Sequence, residues 1–415
     1  MIFKNARLID PKTNRDEIVD IEIENGIIKR IGNIKEDGIN LDKKIIAPGL
    51  IDIHVHFRDP GQTHKEDIIT GSNSAARGGF TSVVCMANTS PKIDNVEVLK
   101  EFLEKAKKSN INVYTVSALT KNFNGKDLVD MKSMLENGAI GFSDDGIPDR
   151  NTDIVLEAMK KAKELDTVLS FHEEDPSLIK ENGINHGEVS ESLGIYGSPH
   201  IAEDVLVARD VNLALYTGAK VDIQHISSAR SVDLVRYAKD KGAKVYAEVT
   251  PHHFTLTEDA VLKYGTLAKM NPPLRTSYDR DEIIKGLIDN TIEIIATDHA
   301  PHSEEEKNVD LTKAPSGIVG LETALGLGIR ELVNKGHLSI LELLRKMTIN
   351  PAKLYNLDSG YIEEGKSADL VIFDIDEEWS VEDFSSKSKN SPFIGEKLPG
   401  KIYYTICNGE IVYKA

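Results

Sequence analysis

Short apolar runs separated by turn residues open the chain. Residues 3–9 and 18–23 alternate loosely between apolar and polar positions, which predicts half-buried strands. Asn25-Gly26 is a hairpin signal leading into a third run at 27–31. The same texture returns from about residue 356: 369–374 and 402–407 read as strands, and Asn408-Gly409 turns into 411–413. Neither end carries enough apolar residues for a core of its own. Both ends are therefore expected to pair into one small β-sandwich built from residues 1–50 and 356–415.

Between these ends the period changes. Eight apolar, strand-like runs occur, at 49–56, 80–86, 113–118, 139–143, 168–172, 220–225, 244–249 and 292–297. Segments with apolar residues at three-and-four spacing intervene, for example 95–108, 153–163, 202–216 and 279–289, and predict helices. Strands alternating with helices imply a parallel sheet. Eight such units within 51–355 match an α/β fold of the (β/α)8 TIM-barrel type. A doubly wound open sheet is the alternative, and it lacks a glycine-rich phosphate fingerprint after the first strand.

Composition narrows the setting. The net charge of −17 gives no basic footprint for nucleic acid or anionic lipid. Only two cysteines occur, Cys85 and Cys407, so a disulfide framework is not expected and a reducing compartment is the default. Residues 1–7 run straight into a charged, turn-rich segment, and no apolar run approaches a membrane span. A cytoplasmic location, with no membrane and no nucleic-acid partner, is the expectation.

The chemistry sits where strands end. In 52–61, Asp-Ile-His-Val-His-Phe-Arg-Asp-Pro-Gly, His54 and His56 are two residues apart at the end of an apolar run. Positions i and i+2 of a strand share a face, so both imidazoles can converge on one divalent cation such as zinc. Barrel enzymes carry their reacting groups at the C-terminal strand ends. Read there, the chain offers His54 and His56 after the first strand and Asp144-Asp145-Gly146 after the fourth. His172 follows the fifth, His225 the sixth, and Asp298, His299 and His302 the eighth. Four imidazoles and two carboxylates at one rim suffice for two metals sharing a bridging ligand.

These segments, together with 75–81 (Ala-Ala-Arg-Gly-Gly-Phe-Thr), 86–89 (Met-Ala-Asn-Thr), 271–275 (Asn-Pro-Pro-Leu-Arg) and 296–302 (Ala-Thr-Asp-His-Ala-Pro-His), resemble the amidohydrolase superfamily. More narrowly they resemble its long-chain (class I) dihydroorotases, over nearly the whole chain. The resemblance implies two Zn2+ per subunit. His54, His56 and Asp298 would hold one, His172 and His225 the other, with Asp145 and a hydroxide bridging them. Relatives such as hydantoinases and allantoinases bridge with a carboxylated lysine, and 141–145 contains none. Asp145 is preferred to Asp144 for its spacing to His172, with Asp144 left as a supporting or turn residue.

Further roles follow from the same resemblance. Asp298 would act as general base and then general acid. Arg58, with Asn88 and His302, would hold the carboxylate of dihydroorotate. Asn271 and Gly317, beside Ser316, would meet the ring, and His56 lies on the substrate side as well. The bland readings are a surface salt bridge from Arg58 to Asp59 or Glu66, and a turn at Asn271. His252 and His253 read as packing groups. The implied reaction interconverts (S)-dihydroorotate and N-carbamoyl-L-aspartate in pyrimidine synthesis. A hydantoinase-like cyclic amidase is the alternative enzyme, and a non-catalytic partner of a transcarbamoylase the alternative outside catalysis. Expected partners are the small-molecule substrate and either a second copy of the chain or aspartate transcarbamoylase. Three positions depart from the family pattern: Ala87 replaces a proline, Ser316 an aromatic, and Glu173 a cysteine, the last adding negative charge near the second metal. The polar stretch 303–315 is either a mobile lid or a solvated loop.

Overall fold

The computed structural model describes residues 1–148 and 151–415. Seven of the eight expected barrel strands form, and with the fourth run they lie in a ring. Leu50–Val55, Phe80–Cys85 and Asn112–Thr115 pair in parallel, as do Val168–Phe171, Lys220–Ile223, Val245–Val249 and Ile294–Ile295. Single bridges complete the ring, from Phe142 to Ser117 and Leu169 and from His299 to Val55. The fourth run is thus a bridging stretch and not a regular strand. Its continuation leaves the ladder at once, because Asp144 takes up the backbone amides of Leu119 and Thr120. Helices such as Ile68–Arg77, Val96–Ala106, Thr152–Glu164, Ile201–Thr217, Ala229–Asp240 and Ser277–Ile288 run between consecutive strands and bury their apolar faces on the ring. No described helix is long and apolar enough to cross a membrane.

Both chain ends build the flanking β-layer. Its strands hydrogen-bond as one eight-stranded sheet, from Glu410–Lys414 through Lys401–Cys407, Leu370–Asp374 and Ile45–Pro48 to Ile2–Asp10, Arg15–Glu24 and Ile27–Gly32, with Ile39–Asn40 also on Ile2–Asp10. The alternation of its central strands serves two cores. Leu370, Ile372, Ile46 and Leu8 face a small cluster inside the sheet, while Val371, Phe373, Ile45 and Ile9 join the barrel's core. Both Asn-Gly turns have positive φ at both residues (53° and 81°; 51° and 78°), the backbone of a two-residue type I′ hairpin. The segment 384–391 leaves this sheet and packs across the barrel mouth, where Ser386 meets Glu66 and Ser388 Oγ donates to Lys65 O at 2.7 Å.

Candidate active site

Strand alternation delivers the imidazoles. Val55 and His56 are fastened to the eighth strand's exit, with His56 N donating to His299 O at 2.9 Å. The buried Asp52 carboxylate takes the amides of His54 (3.0 Å) and Thr297 (3.2 Å). Burial pushes Asp52 up to about 7. His225 (φ 33°), Asp298 (φ 48°) and Arg58 (φ 57°) all sit in the left-handed region, strain that the surrounding barrel holds in place.

One carboxylate touches all four imidazoles. Asp145 Oδ1 lies 3.5 Å from His54 Nε2, 3.6 Å from His172 Nδ1 and 3.7 Å from His225 Nε2, and Oδ2 lies 3.5 Å from His56 Nε2. Asp298 Oδ1 approaches His56 Nε2 at 2.9 Å and His54 Nε2 at 3.6 Å. His172 Nδ1 is 2.9 Å from His225 Nε2. Asp144 does not share this cluster of contacts: its carboxylate accepts the Leu119 amide at 2.7 Å and the Thr120 hydroxyl.

The electrostatics ask for a cation. Burial lowers His54, yet Glu248, Asp145 and Asp298 outweigh it and hold the imidazole well above its usual range. Burial likewise opposes the charge on His172, but Asp145 and Glu174 push it up to about 10. Asp145 and Asp298 are themselves held well below the carboxylate range, because the imidazoles overcome burial. Protons on these rings thus supply positive charge that a divalent ion would supply instead, releasing the rings as neutral ligands. Two groups of donor atoms lie within 4.8 Å of one another, His54, His56 and Asp298, and His54, Asp145 and His225. His54 Nε2 is buried without a hydrogen-bond partner, while its Nδ1 is engaged by Glu248. Imidazole nitrogens and carboxylate oxygens in this geometry fit a borderline transition-metal ion.

The other wall of the same cavity, about 180 Å3, is positive. Arg58, Asn88, Asn271, His302, Ser316 and Gly317 line it with His56, Asp145, His172, His225 and Asp298, so of the ligand and substrate residues the resemblance implied only the wholly buried His54 does not reach this cavity. Among the described residues no carboxylate lies within ion-pair distance of Arg58. Asp59 pairs with Lys105 at 2.8 Å, and Glu66 is taken up by Ser386 and Thr70, so the surface salt bridge is not formed. Arg58 Nη2 lies 3.4 Å from His302 Nε2, which donates to Ser316 O at 2.9 Å. Burial, and then Arg58, Lys65 and Lys307, hold His302 far below its usual range and keep it neutral.

Two amides divide their bonds between the walls. Asn88 accepts from His56 Nδ1 at 2.9 Å and donates to Asp145 Oδ2 at 3.0 Å, orienting both. Asn271 Nδ2 approaches His172 Nε2 at 3.3 Å, while its Oδ1 is buried without a partner and can accept from a ligand N–H. His299, counted at the rim, turns away to Gly320 N and Glu66. His252 and His253 pack below, both lowered by burial, His252 to about 4. Burial and the neighbouring Asp210 push Glu173 well above the carboxylate range, favouring a neutral acid over the extra negative charge its sequence position suggested. The 303–315 stretch includes a short helix, Glu304–Lys307, and is tied down by Lys307 Nζ donating to Pro315 O (2.9 Å) and Gly317 O (3.1 Å).

Sequence reasoning missed Glu248, Glu174 and Asn390. Glu248 engages His54 Nδ1 and also accepts the His225 amide at 3.2 Å, and Glu174 lies 3.2 Å from His172 Nε2. A glutamate near the end of the seventh barrel strand was a usable signal. Asn390, far outside the barrel strands, had none.

Comparison with known proteins agrees with this geometry. The amidohydrolase family profile matches residues 45–412. The dihydroorotase of Clostridioides difficile (strain 630) is 60% identical over 420 residues, covering 100% of both chains. That of Lactococcus lactis subsp. lactis (strain IL1403) is 54% identical, covering 100% of this chain and 99% of the other. The chain belongs to the amidohydrolase family, among the dihydroorotases. Solved structures of the same fold include the L-hydantoinase (dihydropyrimidinase) from Arthrobacter aurescens, with a TM-score of 0.87, 25% identity and coverage of 100% of this chain and 96% of that one. The barrel expected from the periodicity is the fold of this family, and its members' hydrolytic chemistry makes a bound metal the natural occupant of the imidazole cluster.

Proposed function

We propose that this protein is a zinc-dependent dihydroorotase, which opens the cyclic amide of (S)-dihydroorotate to N-carbamoyl-L-aspartate and closes it again. The observation that carries the reading is the cavity's polarity. A cation-demanding cluster forms one wall of a cavity of about 180 Å3, and a guanidinium with no carboxylate partner among the described residues forms the other. Drug-sized ligands occupy roughly 300–1,000 Å3, so the space suits a single small ring bearing an acid.

His54, His56 and Asp298 would hold one zinc, His172 and His225 a second, and Asp145 both. When bound, the ions polarise the amide carbonyl and lower the pKa of the attacking water. Asp298 accepts the water's proton and returns it to the departing ring nitrogen, then runs the steps backwards in cyclisation. Arg58 pairs with the substrate carboxylate beside neutral His302. Asn271 Oδ1 accepts from a ring N–H, and Asn88 keeps His56 and Asp145 aligned. Gly317 (φ 136°) brings bare backbone to the ring, since a Cβ there would meet Ala300 Cβ at 2.7 Å. No lysine lines the cavity, which disfavours the hydantoinase-type bridge. The setting is cytoplasmic pyrimidine synthesis, with a second copy of the chain or aspartate transcarbamoylase as the partner.

The purified protein should convert dihydroorotate in both directions, lose activity with a chelator and regain it with zinc, carrying about two zinc ions per chain. Failure of the zinc-loaded protein to turn over dihydroorotate, or full activity of a metal-free preparation, would overturn the reading.

A further inference from the structure

The anion-holding end of the cavity is made by two neighbouring loops, 300–302 and 316–318, which His302 Nε2 joins by donating to Ser316 O. Gly317 N donates to Lys269 O and Ala300 N to Ile318 O, but the Ala300 and Gly317 carbonyls and the His302 amide lie beyond that pairing. All three are taken by a single side chain. Asn390 Nδ2 donates to Ala300 O and Gly317 O, each at 3.0 Å, and Oδ1 accepts the His302 amide at 3.0 Å. Its backbone carbonyl also accepts from Val319 N at 3.0 Å. Asn390 is 3% exposed, and its segment is clamped to the barrel by Ser385 N donating to Glu322 (2.8 Å) and Lys387 Nζ donating to Thr63 O (2.8 Å).

We propose that Asn390, contributed by the C-terminal segment, is a positioning residue that holds His302 and Gly317 around the substrate carboxylate and so sets the preference for an acidic ring. The inference rests on the reading of Arg58 and His302 as the carboxylate end. Asn390 touches neither the imidazole cluster nor Asp298, so its loss acts on binding of the acid more than on the chemical step. A side chain that offers two N–H donors and an acceptor at once has no ready substitute: aspartate would oppose two carbonyls, and leucine would strand Ala300 O and the His302 amide and leave Gly317 O only Lys307 Nζ.

The test compares zinc-loaded, full-length wild type, Asn390→Ala and Asn390→Ser on dihydroorotate and on its uncharged methyl ester. Asn350→Ala serves as control, because Asn350 braces the opposite end of the eighth strand through Glu293 O at 2.8 Å. Both Asn390 variants should raise KM for the acid with a smaller fall in kcat, and should lower the acid-over-ester ratio of kcat/KM by about tenfold or more. Asn350→Ala should lower thermal stability and leave that ratio alone. The serine variant, which can still satisfy one of the three groups, carries the comparison if the alanine variant does not fold. A wild-type enzyme indifferent to the ester would overturn the carboxylate reading together with this inference. Wild-type discrimination that survives in the Asn390 variants, or an equal loss in Asn350→Ala, would overturn this inference alone.

Discussion

At the floor of the barrel, Lys346 donates to Asn290 Oδ1 at 3.0 Å and Ile292 O at 2.8 Å, and Lys239 donates to Thr291 O at 2.7 Å and pairs with Glu293. At the mouth, among the described residues, Arg58 has no carboxylate partner, and His54 Nε2 and Asn271 Oδ1 have no hydrogen-bond partner. Both ends take charge out of water. At the floor both ammonium groups are satisfied by the chain itself, so burial there serves the fold. At the mouth the groups are held rigidly but left open, which costs stability unless something else completes them. Buried charge is therefore no guide to function by itself; what distinguishes the mouth is a guanidinium, an imidazole nitrogen and an amide oxygen left open at the site.

Substitutions can break this contrast, most severely at the mouth. Asp298→Asn keeps an oxygen near His56 but removes the carboxylate proposed as the base. Turnover should fall at least about a thousandfold in both directions with metal content mostly retained. Zinc analysis and the two rates on that variant decide it, and near-normal rates with metal bound would remove Asp298 from the proton path. Arg58→Met should cost roughly 2–4 kcal/mol in kcat/KM for dihydroorotate and much less for the methyl ester. Equal losses on both would mean that Arg58 supports the loop and not the acid.

A smaller effect is expected one layer out. Glu248 fixes His54 so that Nε2 faces the cluster, and its contact with the His225 amide ties both halves of the cluster together. Glu248→Gln should weaken zinc binding about 10- to 100-fold, read by competition with a chelator. Unchanged affinity would show that the strand alone sets the His54 ring.

The smallest effect belongs to the floor. Burial lowers Lys346 to about 8, so the unfolded chain holds this proton more tightly than the native one. Its contribution to stability is then complete above the ordinary lysine range and is lost as pH falls through about 8. Wild-type melting temperature should gain roughly 2–4 °C from this residue between those limits, and Lys346→Met should flatten that gain while leaving turnover within about twofold. A matching pH slope in both proteins would assign it to other groups.

Much of this molecule was legible in local pattern. Continuous apolar runs with period 3.6 between them located the barrel strands, and Asn-Gly placed both hairpins, because each depends only on neighbours in the chain. The two-residue spacing of His54 and His56 put both rings on one face for the same reason. At 139–143, expected as a strand, the structure has bridges instead, since the following residues leave the ladder for the site. Tertiary structure alone decided the rest. Asp144 and Asp145 are adjacent and chemically identical, and only the positions of Leu119 and Thr120 turn one to backbone amides and leave the other among four imidazoles. Glu248 reaches His54 across 194 residues and Asn390 reaches His302 across 88. A glutamate or asparagine at such separations is compatible with many partners, and only folding selects one.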